Sequence, residues 1–186
     1  MAAHNSHEGL TFADPKATND TAFNNYVNIF LPESKPAIRF YIENTLYPPI
    51  FNGSQPYSNP FERLQTLIQD YAIECYPTYL ATAFSGIAHN YIFSVPPGAH
   101  AEDVPYTFYD ENTEGNGTGS GVVNSTTAEI LQRFITTFAA TGTPGSDFPL
   151  YGEAGMVLNI NETFLAAEAD PMRNSRCAWW QKGLFL

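Results

Sequence analysis

His100 stands in Pro96-Pro-Gly-Ala-His100-Ala-Glu-Asp103-Val-Pro-Tyr106-Thr-Phe108, directly after the apolar run Tyr91-Ile-Phe-Ser-Val95. An apolar, partly β-branched run closed by Pro-Pro-Gly reads as a buried strand ending in a turn. A histidine on such a turn is released from the strand ladder. One ring nitrogen can then face a nucleophile while the other meets a carboxylate that fixes the tautomer and stabilises the imidazolium. That is the chemistry of a general base in a hydrolase; the alternative is a loop histidine with no chemical role. A base needs a nucleophile, and the Gly-x-Ser-x-Gly elbow that exposes a serine on a tight strand-to-helix turn does not occur in the sequence. Gly119-Ser120-Gly121 has Thr118 where the first glycine is needed, and Ser85-Gly86 has Ala83. Nor is there a Gly-Gly pair to supply oxyanion-hole amides.

The elements that would position this loop can be read from periodicity. Residues 1–12 predict a strand entering a loop, with Gly9-Leu-Thr-Phe12 after an acidic residue. From Asp14 to about Gly86 the chain reads mostly helical: Ser34 is expected to cap a helix through Ala37–Ile42, and Leu46-Tyr-Pro-Pro-Ile-Phe-Asn-Gly53 breaks it. Asn59 then offers an N-cap, with Pro60 at the first helical position and Glu62 three residues on. Phe61, Leu64, Leu67, Ile68, Tyr71 and Ala72 follow at helical spacing, and Tyr79 to Phe84 continues as helix. Ala88 to Val95 predicts a buried strand, and residues 112–121, rich in Gly, Asn and Thr, predict a surface loop. Thr126 and Glu129 form a possible capping box for a helix lined by Ile130, Leu131, Phe134, Ile135, Phe138 and Ala139 and stopped by Gly142. Met156–Ile160 is a second strand candidate, and a short helix is expected around Trp179. Strands separated by helices mean α/β. Two or three core strands are too few for a doubly wound sheet, so the expectation is a helix-rich part of a fold with an incomplete sheet.

With 186 residues the chain is long enough for one domain with a real core. No apolar run approaches the roughly 18 residues of a membrane span, so no transmembrane segment is expected. Lys and Arg number 8 against 19 Asp and Glu, a net charge of -11; this argues against nucleic acid and anionic membrane surfaces as partners. The opening Met1-Ala-Ala-His-Asn-Ser-His-Glu8 has neither a basic n-region nor an apolar h-region, so no signal peptide is expected within this chain. Yet Asn19, Asn52, Asn116, Asn124 and Asn161 each open a glycosylation sequon. Together they favour a secreted ancestry and suggest that the front of the protein is missing. Cys75 and Cys177 are the only cysteines: a single bridge or two buried thiols, and no zinc-like spacing.

The histidine loop resembles that of the type-B carboxylesterases, the α/β-hydrolase family of cholinesterases and fungal lipases. Asn5, Glu8, Gly9 and Phe12 match the later positions of that family's Gly-x-Asn-x-x-Glu-Gly-x-x-Phe stretch, which carries the triad acid. The resemblance therefore implies Glu8 as the acid; without it, Glu8 reads as an ordinary surface or helix-capping glutamate. The acid-then-histidine order also agrees with the fold's chain order. Asp103 falls where the family has an acidic residue supporting the histidine loop, and reads equally as a solvated surface acid. Glu74-Cys75-Tyr-Pro-Thr-Tyr-Leu-Ala81 and Arg176-Cys177-Ala-Trp-Trp180 resemble the two halves of the family's last disulfide, which implies a Cys75–Cys177 bridge. Phe134-x-x-x-Phe138-Ala-Ala-Thr-Gly142-Thr-Pro144 and Phe148-Pro-Leu-Tyr151 resemble a family helix end and its sequel, departing from it at Phe134 and Thr143.

The resemblance spans nearly the whole chain, so residues 1–186 are expected to form the C-terminal segment of a carboxylesterase domain whose nucleophile-bearing N-terminal part is absent, with Met1 an internal methionine of the original. It implies serine hydrolysis of carboxylic or lipid esters, with His100 as base and then acid, no metal or organic cofactor, and an extracellular location. The chain alone is expected to be inactive. The competing expectation is a non-catalytic, cholinesterase-like binding or adhesion module. The aromatic segment from Phe40 to Phe61 would either line an acyl or alcohol pocket or serve ordinary helix packing, and His4, His7 and His89 are expected to be structural or exposed.

Overall fold

The computed structural model describes residues 1–84, 86–111 and 123–185. In chain order it contains β1 (Ala2–Asn5), a 3-10 turn (Glu8–Thr11), α1 (Asp20–Phe30), α2 (Pro36–Tyr41) running into a π-turn (Ile42–Leu46), and α3 (Pro60–Gln69) running into a second π-turn (Asp70–Glu74). There follow α4 (Cys75–Ala83), β2 (Asn90–Phe93), α5 (Val104–Thr107), α6 (Ser125–Thr141), β3 (Met156–Ile160), β4 (Leu165–Ala169) and α7 (Ser175–Trp180). Two compact units emerge: Met1–Glu8 with Tyr76–Pro171, and Gly9–Cys75 with Met172–Leu186.

The first unit is built on a four-stranded sheet in the order β1-β2-β3-β4. β1, β2 and β3 run parallel, with Asn5 opposite Phe93 and Phe93 opposite Ile160, while β4 returns antiparallel to β3. Every residue of β2 is buried, as expected of a parallel strand covered on both faces. Tyr91, Phe93, Leu158 and Ile160 point to one side, where Leu131 and Phe134 of α6 and Phe148 pack on them. Ile92 and Val157 point to the other side, against Ala81 and Tyr151. Tyr151 and Thr78 both donate to Asp170 Oδ2, at 2.8 and 2.6 Å.

β2 and β3 are the core strands that the apolar runs announced, and β1 is the strand expected to enter a loop within residues 1–12. β4 is an addition: Leu-Ala-Ala-Glu-Ala has little strand propensity, alternates between exposed and half-buried, and is a strand because β3 supplies its partner. α6 is capped by Asn124, whose side chain accepts from Thr127 N at 3.1 Å, so the Thr126/Glu129 capping box gives way to a cap two residues earlier. Its end is as expected: Gly142 takes the left-handed conformation at φ 81° and donates to Phe138 O.

The second unit is helical. Asn59 caps α3 as the sequence indicates, accepting from Glu62 N at 3.0 Å. Ser34 does not cap α2: its hydroxyl donates back to Leu31 O, and the helix opens with Pro36, which brings no N–H to satisfy. Arg63 is fully enclosed; it donates to Tyr47 O and Glu43 O, pairs with Asp20 at 2.8 Å, and lies over the Phe23 ring. Asp70, also fully buried, accepts from Tyr47 and from Arg176 at 2.6 Å. Burial pushes its carboxyl above the ordinary range against the pull of Arg176. Cys75 and Cys177 are bridged across 102 residues, which ties α7 to the end of the second π-turn. Tyr47 and Tyr57 belong to this unit's core, while Phe40 is exposed. The unit's apolar cavity of about 500 Å³ is lined by Phe12, Tyr26, Phe30, Ile68, Tyr71 and neighbours, none of them from the Phe40–Phe61 segment.

Candidate active site

Glu8 and His100 sit just beyond the C-terminal ends of the neighbouring parallel strands β1 and β2. After β1 the chain makes one more sheet-like contact, with His7 opposite Ala99 and His7 N–H donating to Gly98 O at 2.8 Å, and then turns into the 3-10 helix at Glu8. After β2, Gly98 takes φ 67°. A Cβ at this position would fall 2.1 Å from Ser6 Oγ, so the approach of the two loops requires glycine there. Ala101 also takes a positive φ, 68°, a conformation that costs a non-glycine residue about 1 kcal/mol. It follows His100 directly.

The consequence is a carboxylate–imidazole pair. Glu8 Oε2 lies 2.6 Å from His100 Nδ1; the carboxylate is 3% exposed and the imidazole 44%. The other carboxylate oxygen, Oε1, accepts the Asn5 backbone N–H at 2.6 Å and Asn5 Nδ2 at 3.2 Å. Asn5 Nδ2 also donates to Asp103 Oδ1 at 3.2 Å. Both oxygens of the acid are thus held, and the ring is held through one nitrogen. Such an arrangement fixes which nitrogen carries the proton and stabilises the ring when it becomes cationic.

Of the residues singled out from sequence, Glu8, His100 and Asp103 come together, and Asn5 joins them. In the sequence Asn5 is only a motif position. Its side chain spans both acids, a role signalled by nothing but its spacing, three residues before Glu8. Its Oδ1 is buried with no hydrogen-bond partner among the described residues. His4 and His89 are buried and bonded to the carbonyls of Asn5 and Pro149, and His7 is exposed beside Ser6. Burial holds the His4 imidazole below its ordinary pKa.

Cys75 and Cys177 lie in the other unit. Among the described residues, the grouping with metal-like spacing is Asp70, Cys75 and Cys177, and its two sulfurs are joined in the disulfide, so they are not thiolate ligands. The sequon asparagines are scattered. Asn19 and Asn124 are helix caps, Asn52 accepts from Ser54 in an exposed turn, and Asn161 Nδ2 donates to Ser94 O at 2.7 Å. Asn116, the 119–121 triplet and Ser85 lie outside the described residues.

No family model matches the chain. It is 31% identical over 186 residues to carboxylesterase patB of Penicillium expansum and 32% identical over 187 to carboxylesterase patB of Aspergillus clavatus, covering 98% of this chain in each case and 32% of the relative. The chain therefore spans about a third of the length of these curated relatives. Its fold matches the crystal structure of Aspergillus niger EstA with a TM-score of 0.76 at 16% identity, over 97% of this chain and 38% of that one. A structure of PNB esterase matches with a TM-score of 0.63 at 17% identity, over 99% and 37%. In sequence and in fold, the chain corresponds to the C-terminal portion of a type-B carboxylesterase.

Proposed function

We propose that this chain carries the acid and the base of a serine carboxylesterase, with Glu8 as acid, His100 as base and Asp103 steadying the histidine loop through Asn5. The observation that carries the reading is the 2.6 Å contact between buried Glu8 and the half-exposed His100 ring. With Nδ1 held by the carboxylate, Nε2 is the nitrogen that exchanges protons. A serine on the remaining part of the polypeptide attacks the ester carbonyl carbon as its proton passes to Nε2. The tetrahedral adduct then expels the alcohol, which takes that proton. Water repeats the sequence on the acyl-serine, releasing the acid and restoring the serine hydroxyl. The Glu8 carboxylate balances the imidazolium. Carboxylic or lipid esters are the substrate class, as the relatives' name suggests for them. The sequons and the disulfide support an extracellular glycoprotein. Without a serine elbow or oxyanion hole, the chain alone hydrolyses no ester above background.

The test joins this chain to the part of the Penicillium expansum carboxylesterase that it does not match, as one polypeptide, and measures p-nitrophenyl butyrate hydrolysis. We expect turnover with a burst, a loss of kcat on the order of 10⁴-fold or more for His100→Ala, and a loss of roughly 10³- to 10⁴-fold for Glu8→Gln. Full activity in the His100→Ala variant would sink the proposal. Burst turnover by the isolated chain would overturn its inactivity.

A further inference from the structure

α5 is a single turn, Val104–Thr107, and it begins directly after the histidine loop, with Asp103 at its N-cap position. A helix this short does not hold its own shape in water. The backbone bonds around it run from Val104 N to Ala101 O, from Thr107 N to Asp103 O and from Phe108 N to Val104 O. The carbonyls of Tyr106 and Thr107 fall in the last turn, where no following turn brings donors. They need a partner from elsewhere in the fold.

Gln132 is that partner. Its Nε2 donates to Tyr106 O and Thr107 O, both at 3.3 Å, and to Tyr109 O at 2.8 Å. An amide has two N–H bonds, so at least one of them is shared between carbonyls. α6 runs for 17 residues, and its Leu131 and Phe134 are buried in the core against the sheet. The same core takes the Tyr106 ring, whose centroid lies 4.9 Å from that of Phe93. One side chain of a long, anchored helix thus fastens the chain that leaves the histidine loop.

The fastening bears on His100 because the loop is strained. Ala101, next to His100, has φ 68°, and a strained backbone conformation persists only where its surroundings over-determine it. The loop is held in front by His7 N–H on Gly98 O at 2.8 Å, and in the middle by Asn5 Nδ2 on Asp103 Oδ1 at 3.2 Å. The bonds of Gln132 hold it behind. Release of that end lets Ala101 relax, and the imidazole then turns away from Glu8.

We infer that Gln132 is a positioning residue for His100: by tying the end of α5 to α6 it fixes the ring's place against Glu8. The effect on turnover rests on the function proposed above; the hold on the loop does not.

The experiment follows amide hydrogen exchange by NMR in this chain and kinetics in the fused polypeptide already described. Gln132→Met keeps the length of the side chain but has no donor. Gln132→Lys restores donors on a stem of similar length, facing helix C-terminal carbonyls that favour a cation. In this chain, Gln132→Met should speed exchange at Val104, Thr107 and Phe108 roughly tenfold, with Ile92 and Phe93 of β2 unchanged. In the fused polypeptide its kcat should fall about tenfold with KM unchanged. Gln132→Lys should recover most of both. Unchanged exchange around α5, or a rise that extends equally to β2, overturns the inference. So does a loosened α5 with full kcat, or a Gln132→Lys variant no better than Gln132→Met. A wild-type fusion without activity overturns the proposed function instead, and the exchange data still decide whether Gln132 holds the loop.

Discussion

Glu8 Oε2 meets His100 Nδ1 at 2.6 Å although 92 residues separate them in sequence. The meeting follows from topology: β1 and β2 are parallel neighbours in register, so the loops leaving their C-terminal ends emerge side by side. Ligand and catalytic groups of parallel α/β sheets gather at this end. The backbone bond from His7 N–H to Gly98 O and the bond from Asn5 Nδ2 to Asp103 Oδ1 join the same two loops.

Asn5 is the residue on which the pair's geometry depends. Asn5→Ala removes the bonds from Nδ2 to Glu8 and to Asp103 but keeps the backbone N–H on Glu8. Bonds to charged groups contribute about 1.5–3 kcal/mol, so stability should fall by about that much in denaturant titration. In the fused enzyme, kcat should fall roughly tenfold with KM unchanged, because a loosened acid lets the imidazole turn. An unchanged kcat would show that Asn5 is structural only.

Ala101 carries the positive φ that glycine would adopt at no cost. Ala101→Gly relieves the left-handed strain but frees the unfolded chain, leaving a net gain of roughly 0.5–1 kcal/mol. Thermal unfolding should therefore move up by a few degrees. A drop would mean that the alanine methyl group makes contacts worth more than the strain.

Replacing both Cys75 and Cys177 by alanine opens a loop of 102 residues. The chain-entropy account puts the loss at roughly 4–5 kcal/mol. The loss should appear as a lower denaturation midpoint for the helical unit that contains both cysteines. Equal midpoints with and without reductant would contradict it.

His4 supplies a pH dependence. Burial depresses its folded pKa below 6.5, so the folded chain keeps the ring neutral while the unfolded chain takes up a proton as pH falls through about 6.5. Its contribution is present above that pH and is lost progressively on acidification. Measured as wild type minus His4→Asn, which cancels other titrating groups, the stability difference should shrink between pH 7.5 and pH 5.5. A difference that does not change with pH would refute the assignment.

Much of this was legible in the residues themselves. Asn59-Pro60, Gly142 and the spacing from Ile130 to Ile135 specify helix starts, stops and faces by local chemistry, and these agree with the structure, whereas Ala139, expected on the same face, is exposed. The Pro-Pro-Gly-x-His loop could be read because a turn needs those residues wherever it sits. β4 could not, because Leu165–Ala169 is a strand only by virtue of β3 beside it. Nor could the choice of Asn124 over Thr126 as the cap of α6, since several side chains there can accept from a helix N–H and packing selects among them. What only the tertiary structure decided was the joining of Glu8 to His100, and of both to Asp103 through Asn5. A hydrogen bond needs a distance, and distance between residues so far apart in sequence is set by how strands pair.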